Sequence, residues 1–207
     1  MNNAELFFAN VPNPARFREA IQRFDALNGG DPNQEIVHGN PRPRELANAE
    51  RLSGWIIALA PDASEALRLA SRCQHLCRWK IPRGQFEMSR IGYHQWRNEL
   101  KRFHAEKSSE VLQAVGYLDE MTARVRDLNL KKNFPGDSES RTLEDALCLV
   151  FLQFQFGDLA AKTDDEKIIN ALQKSWKKMT PLAQAHALKL QYTSRERALL
   201  DQAWRHE

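Results

Sequence analysis

The positions of apolar side chains predict helices along most of the chain. Apolar residues recur every three or four positions in successive stretches, whereas the strict alternation typical of half-buried strands is absent. Helix start signals agree with this pattern, because Asn13 precedes Pro14 and Thr180 precedes Pro181, and a capping residue followed by proline favours a first helical turn. We therefore predict an all-α fold that forms a single compact helical domain.

The predicted elements divide the chain into an arm and a domain. Residues 14–28 form a first helix, and residues 30–43, rich in Gly, Asn and Pro, form a loop without a strand. Residues 1–43 are therefore interpreted as an N-terminal helix-and-loop arm, and residues 44–207 as the helical domain that carries the site. Within this domain, helices are predicted over residues 44–59, 62–79, 91–106, 109–115, 119–131 and 142–161, and from residues 163, 181 and 194 onward.

The helix predicted from Thr142 is the most apolar of the set. Residues 147–152 are apolar almost all round the helix, which predicts a central and buried position. Glu144 and Asp145 then lie in its first turn. One interpretation is that these acidic residues are stabilised by the helix dipole, as is usual at a helix N-terminus. The other is that the two carboxylates are buried and bind a cation, a hydrogen-bond donor or a metal ion.

Charge is distributed unevenly along the chain. The totals are 30 Lys and Arg against 27 Asp and Glu, a net charge of +3 that argues against a general nucleic-acid coat. The hydrophobic share of 42% and the charged share of 28% exclude a disordered or membrane-spanning chain. Residues 71–107, however, hold nine basic and three acidic side chains together with three of the six histidines. This window is typical of a solvated helix surface or of an anion-binding cleft.

Two histidines of this window are candidate site residues. His75 is predicted to lie opposite the buried stripe of its helix, beside Arg68, Arg72 and Trp79, and His104 at the border of the next apolar stripe. A solvated histidine and a histidine at the edge of the core are the plain structural interpretations. The alternative is the lining of a phosphate-binding cleft, since guanidinium groups bind phosphate through paired hydrogen bonds.

Basic and aromatic residues extend this candidate site. Trp79, Tyr93 and Trp96 are interleaved with arginines, an arrangement that is found in base-stacking surfaces, although tryptophans at helical spacing also pack in cores. Seven basic residues are candidates for contact with a phosphate group: Arg78, Arg83, Arg90, Arg97, Lys101, Lys131 and Lys132.

The order and spacing of His75, His104 and Asp145 resemble those of the HD-domain phosphohydrolases. His104 follows His75 by 29 residues, and Asp145 follows His104 by 41. The resemblance implies an HD-like helical fold, a divalent metal ion of unspecified identity bound by these three residues, and Glu144 as a catalytic ligand or general base. The His-Asp doublet of that family is His104-Ala105 here, so one ligand of the pattern is absent.

A second resemblance covers residues 45–180. It is carried by these stretches: Gln74-His75, Arg78-Trp79, Ile81-Pro82-Arg83, Gly92-Tyr93, Trp96-Arg97, Phe103-His104-Ala105, Leu143-Glu144-Asp145-Ala146 and Lys174-Ser175-Trp176. With these stretches the chain resembles domain-of-unknown-function family 4202, which has bacterial and fungal members and implies no established activity. Some fungal members carry the label glutamyl-tRNA synthetase, but the glycine pattern and strands of a nucleotide-binding sheet are absent here.

These observations predict a metal-dependent, HD-like phosphohydrolase that acts on a nucleotide or another small phosphorylated metabolite. A non-catalytic binding module for a phosphorylated ligand or RNA is the alternative, and a purely structural protein is the third. The three cysteines, Cys73, Cys77 and Cys148, form no disulfide pattern, and Cys73 and Cys77 are expected to pack as small apolar residues. With no recognisable signal peptide or long apolar run, the sequence predicts a cytoplasmic protein without a membrane partner.

Overall fold

The computed structural model describes residues 3–204 and confirms the all-α prediction. These residues form eleven α-helices and one small antiparallel sheet, with short 3₁₀ and π-helical turns between them. None of the described helices is both long and apolar enough to cross a membrane. The helices are α1 Asn3–Phe8, α2 Pro14–Gly29, α3 Arg44–Leu59, α4 Glu65–Cys73, α5 Arg90–Ala114, α6 Asp119–Leu130, α7 Ser138–Val150, α8 Phe156–Ala160, α9 Asp165–Lys178, α10 Pro181–Leu188 and α11 Ser194–Trp204.

The chain divides into two compact units, of which the first ends at Ser140 and the second begins at Arg141. In the first unit, α4 packs against α2, α3 and α6, and α5 packs along α6. In the second, α9 packs against α11, and the rings of Trp176 and Trp204 stack with their centroids 4.1 Å apart. The sequence predicts another division of the chain, into an N-terminal arm over residues 1–43 and a helical domain over residues 44–207. That division stays a prediction.

A β-hairpin replaces the loop that the sequence predicts over residues 30–43. Strand β1 (Gln34–Val37) pairs antiparallel with β2 (Asn40–Pro43), and Val37 lies opposite Asn40. His38 and Gly39 form the two-residue turn with φ of 49° and 81°, as a tight hairpin turn requires. The prediction of no strand is therefore wrong, because these strands are short and mostly polar and contain two prolines, so they lack the alternating pattern.

Asp31 joins this hairpin to the start of α3. One oxygen of the buried carboxylate accepts the backbone N–H of Asn33 at 2.9 Å, and the other accepts that of Glu45 at 3.0 Å. Pro43, in the N-cap position of α3, has no side-chain acceptor. Asp31 thus provides the missing cap from outside the helix and fixes the backbone position of Glu45.

The helix predicted over residues 62–79 is shorter than expected. Helix α4 begins after Ser64, whose hydroxyl accepts the N–H of Leu67, and ends at Cys73. Cys77 has a left-handed backbone with φ of 55°, and its N–H donates to the side-chain oxygen of Asn28 at 3.0 Å. His75 therefore lies in a tight turn, not on a helix face. Cys73 and Cys77 are buried free thiols, as expected.

Two further predicted helix bounds are wrong. Helix α5 continues without a break through Ser108 and Ser109, whose hydroxyls bond back to the carbonyl of Ala105 within the helix. The helix predicted from Thr142 begins four residues earlier, at Ser138. Residues 147–152 are all buried or half-buried, as expected. Beyond Val150 the chain passes through a π-helical turn, where Phe154 is 39% exposed.

Substitution of Gly92 tests how closely the loop before α5 packs against the start of this helix. A Cβ atom at this position would lie 2.2 Å from the backbone oxygen of Glu87, whereas one at Gly54 in α3 would meet nothing within 4 Å. We expect Gly92→Ala to lower the free energy of unfolding by roughly 1–3 kcal/mol through this overlap. Gly54→Ala is the matched control and should raise it by about 0.5–1 kcal/mol. Urea unfolding of both variants checks this, and equal stabilities would contradict it.

Candidate functional site

The turn after α4 and helix α5 carry the candidate site. His75 and Arg78 belong to the turn, while Arg97 and His104 are seven residues apart and therefore share one face of α5. We call these four residues the His–Arg cluster. Trp96 ties the two segments together, because its indole N–H donates to the carbonyl of Ile81 at 2.9 Å. The cluster lies wholly within the first unit.

The side chain of His104 is fixed in one tautomer. Its Nδ1 lies 2.9 Å from the carbonyl oxygen of Leu76, and since a carbonyl only accepts, Nδ1 carries the proton. Burial lowers the pKa of His104 to about 4, although the bond to Leu76 favours the charged form, so the ring is neutral at pH 7. Its Nε2 therefore presents a lone pair, and this buried atom has no hydrogen-bond partner among residues 3–204.

His75 places a second neutral imidazole beside the first. The two ring centroids are 5.8 Å apart. Burial holds the pKa of His75 well below its ordinary value, and the charges of Arg78, Arg97 and Lys131 lower it further. A site that already holds positive charge resists a further proton, so these histidines contribute hydrogen-bonding groups at neutral pH and no charge of their own.

Two half-buried guanidinium groups lie within electrostatic range of each other at this cluster. Within the part of the chain that the structure describes, neither Arg78 nor Arg97 forms an ion pair or a side-chain hydrogen bond. The Arg78 guanidinium carbon lies 5.3 Å from the ring centroid of Trp96, an aromatic contact that does not neutralise its charge. Burial lowers the pKa of Arg78; the charge of Glu45 opposes this shift, and the charge of Arg97 adds to it. An anion placed between the two guanidinium groups would relieve their repulsion.

Two buried polar residues beside the cluster were not singled out from the sequence. Glu45 is 8% exposed, and burial raises the pKa of its carboxyl to about 7, with the charge of Arg78 opposing the rise. Its Oε2, like Oε1 of the buried Gln74, has no hydrogen-bond partner among the described residues. A glutamate at the start of a helix is usually an exposed residue that favours the helix dipole. Only the tertiary contacts reveal this one.

The other residues of the predicted phosphate-binding set are placed differently. Arg83 donates to the carbonyls of Phe86, Glu87 and Ser89 and thereby closes its own loop. Lys132 pairs with Asp127 at 3.0 Å. Arg90 is exposed, Lys101 is half-buried, and Lys131 lies within electrostatic range of His75. Their phosphate contacts stay predictions.

The predicted lining of His75 by Arg68 and Arg72 is not found. Arg68 is buried and donates to the carbonyls of Leu6, Phe7 and Ala9 at the end of α1. Arg72 makes two hydrogen bonds to the carboxylate of Asp25, at 2.6 and 2.8 Å. Both guanidinium groups therefore hold secondary structure elements together, and neither faces a ligand.

Glu144 and Asp145 belong to the second unit. Because α7 begins at Ser138, they lie in its second turn, and the expectation that they occupy the first turn is wrong. Asp145 accepts the backbone N–H of Thr180 at 2.9 Å and its hydroxyl at 2.6 Å, and burial raises the pKa of this carboxyl. Glu144 lies 3.2 Å from the ammonium group of Lys178. In this unit, Asp145 thus stabilises the residue that caps α10.

The metal-ligand roles of His75, His104 and Asp145, and the catalytic role of Glu144, stay predictions. Among residues 3–204, no group of three or more His, Cys, Asp or Glu side chains is placed to hold a metal ion.

The comparison with known proteins gives a family and no activity. A family model described as "Domain of unknown function (DUF4202)" matches residues 18–200. No curated protein and no solved structure matches the chain.

The raised pKa of Glu45 has a measurable effect on stability. The folded chain retains a proton on this carboxyl up to about pH 7, whereas the unfolded chain loses it near 4.5, so folding becomes less favourable as the pH rises through this window. We expect Glu45→Gln to remove that loss, and its stability relative to wild type should rise by roughly 3 kcal/mol between pH 4.5 and pH 8. Urea unfolding across this range checks it, with Glu120→Gln at an exposed position as the control for loss of a charge. A difference independent of pH would contradict the assignment.

Proposed function

We propose that this chain, which belongs to the DUF4202 family of unknown function, binds a small phosphorylated ligand at the His–Arg cluster. The observation that carries the proposal is a pair of half-buried guanidinium groups, Arg78 and Arg97, that repel each other and form no ion pair with a described residue. Like charges held together in a half-buried site raise the free energy of the empty protein, and a phosphate group would offset this cost.

The neighbouring groups suit the same ligand. Guanidinium groups donate paired hydrogen bonds to phosphate oxygens, and Lys131 adds positive potential from the end of α6. The neutral imidazole of His75 is an additional donor or acceptor. Two adjacent guanidinium groups suit one phosphate group better than a nucleic-acid backbone, which requires a long basic groove. A small ligand is therefore preferred to RNA, the other partner that the sequence predicts.

Arg97 provides the direct test of this proposal. Replacing Arg97 by Gln removes one guanidinium, and we expect the affinity for a phosphate monoester to fall by about tenfold to about 100-fold, as for a lost charged hydrogen bond. Arg102→Gln is the matched control on the same helix, because Arg102 is exposed and paired with Glu99. Isothermal titration calorimetry at two salt concentrations measures both variants. Equal affinities of wild type and Arg97→Gln, or no binding by wild type, would contradict the proposal.

A divalent-metal-dependent, HD-like phosphohydrolase is the second candidate, and His104 favours it. Metal-ligating histidines usually donate one ring N–H to a backbone carbonyl and present the other nitrogen to the metal, which is the arrangement of His104. The distance of 5.8 Å between the two imidazole rings suits two ligands of one ion, given metal–nitrogen bonds of about 2 Å. Such an ion would supply a bound water activated for attack on a phosphate ester.

Metal binding by the two histidines separates the second candidate from the first. If the chain binds a divalent ion, wild type incubated with Mn²⁺, Ni²⁺ or Zn²⁺ and dialysed should retain about one equivalent and melt at a higher temperature. His75→Gln and His104→Gln should lose both effects, whereas His94→Gln, at an exposed position of the same helix, should keep them. Retention of no metal by wild type would eliminate the hydrolase and leave the binding function.

A cytoplasmic location completes the proposal. Cys73, Cys77 and Cys148 are all free and buried, which fits a compartment that keeps thiols reduced.

A further inference from the structure

We infer that the phosphorylated ligand of the His–Arg cluster is a mononucleotide whose base stacks on Tyr93; this inference rests on the proposed binding function. Tyr93 lies one helical turn before Arg97 on the same face of α5. Its ring centroid is 5.8 Å from that of Trp96, which in turn contacts the guanidinium of Arg78. The aromatic rings of Tyr93 and Trp96 therefore lie next to the guanidinium group of Arg78.

The ring of Tyr93 is open to a ligand. It is 45% exposed, although it belongs to the stripe that continues into the buried Leu100. Its hydroxyl forms no hydrogen bond with another residue of the described chain, and it lies near enough for its charge to affect the pKa of Arg78. Trp96, by contrast, is half-buried, and its indole N–H is bonded to Ile81. The rings of His94 and Trp96 each lie 5.8 Å from the ring of Tyr93 between centroids, and Tyr93 nevertheless keeps the exposed area on which a base would stack.

This arrangement distinguishes between classes of phosphorylated ligand. A sugar phosphate or inorganic phosphate would engage Arg78 and Arg97 and would gain nothing from Tyr93. A nucleotide gains both contacts, since stacking of a base on an aromatic side chain contributes about 1–3 kcal/mol by alanine substitution. A single-stranded RNA would require further aromatic and basic residues along its path. One exposed ring beside one pair of guanidinium groups fits a single nucleotide.

The test compares ligands that share only parts of a nucleotide. Binding of AMP, ribose 5-phosphate, inorganic phosphate, adenosine and hexa-adenylate to the full chain is measured by calorimetry. We expect AMP to bind at least fivefold more tightly than ribose 5-phosphate, and adenosine to bind more weakly than AMP. Equal affinities for AMP and ribose 5-phosphate would overturn the nucleotide inference while the binding function stands. Hexa-adenylate binding more than tenfold more tightly than AMP would overturn it in favour of RNA.

Variants of Tyr93 assign the effect to its ring. Tyr93→Ala should weaken AMP binding by between about fivefold and about 150-fold and leave the affinity for inorganic phosphate unchanged. Tyr93→Phe keeps the ring and should bind AMP within about twofold of wild type. If Tyr93→Ala weakens both ligands equally, or neither, the stacking role is wrong. Binding of none of the phosphorylated compounds by wild type would instead contradict the proposed function itself.

Discussion

The hydrogen bond between His104 and the carbonyl of Leu76 joins the two segments that make up the candidate site. It spans 28 residues of sequence and measures 2.9 Å between heavy atoms. Through it, a side chain of α5 fixes the turn that holds His75 and Arg78, and the turn in return fixes the tautomer of His104. The bond from the N–H of Cys77 to Asn28 holds the same turn from the side of α2. Together with the bond from the indole N–H of Trp96 to Ile81, these two bonds fix the turn relative to α2 and α5.

The same region combines charges whose effects on stability oppose each other. The pKa of His104 is lowered to about 4, so this group favours unfolding as the pH falls from 6.5 toward 4. The pKa of Glu45 is raised to about 7, so this group favours unfolding as the pH rises from 4.5 to 7. Both penalties come from burial of ionisable groups. Such retained, incompletely partnered polar groups are more common at functional sites than elsewhere.

The sequence predicts the helices well because their periodicity depends on local patterns. The caps at Asn13 and Thr180 and the run of α3 follow the expected residues. The hairpin escaped prediction because its pairing depends on turn geometry at His38 and Gly39, not on an apolar pattern. The basic window likewise predicts an anion site only as a region of the chain. Which arginines are unpaired depends on tertiary partners: Arg83 binds its own loop, while Arg78 and Arg97 find no acceptor among the described residues.

The neutrality of the two histidines constrains what the site does at physiological pH. Imidazoles whose pKa values burial holds well below the ordinary value carry no charge at pH 7, so any attraction for an anion comes from Arg78, Arg97 and Lys131. A bound phosphate would raise both pKa values, which means that anion binding strengthens as the pH falls. A metal ion would compete with protons for the same nitrogens, and its binding weakens as the pH falls. Protonation of His75 and His104 therefore favours phosphate binding and opposes metal binding. The low pKa of His104, about 4, sets the pH range in which the two candidate functions begin to differ.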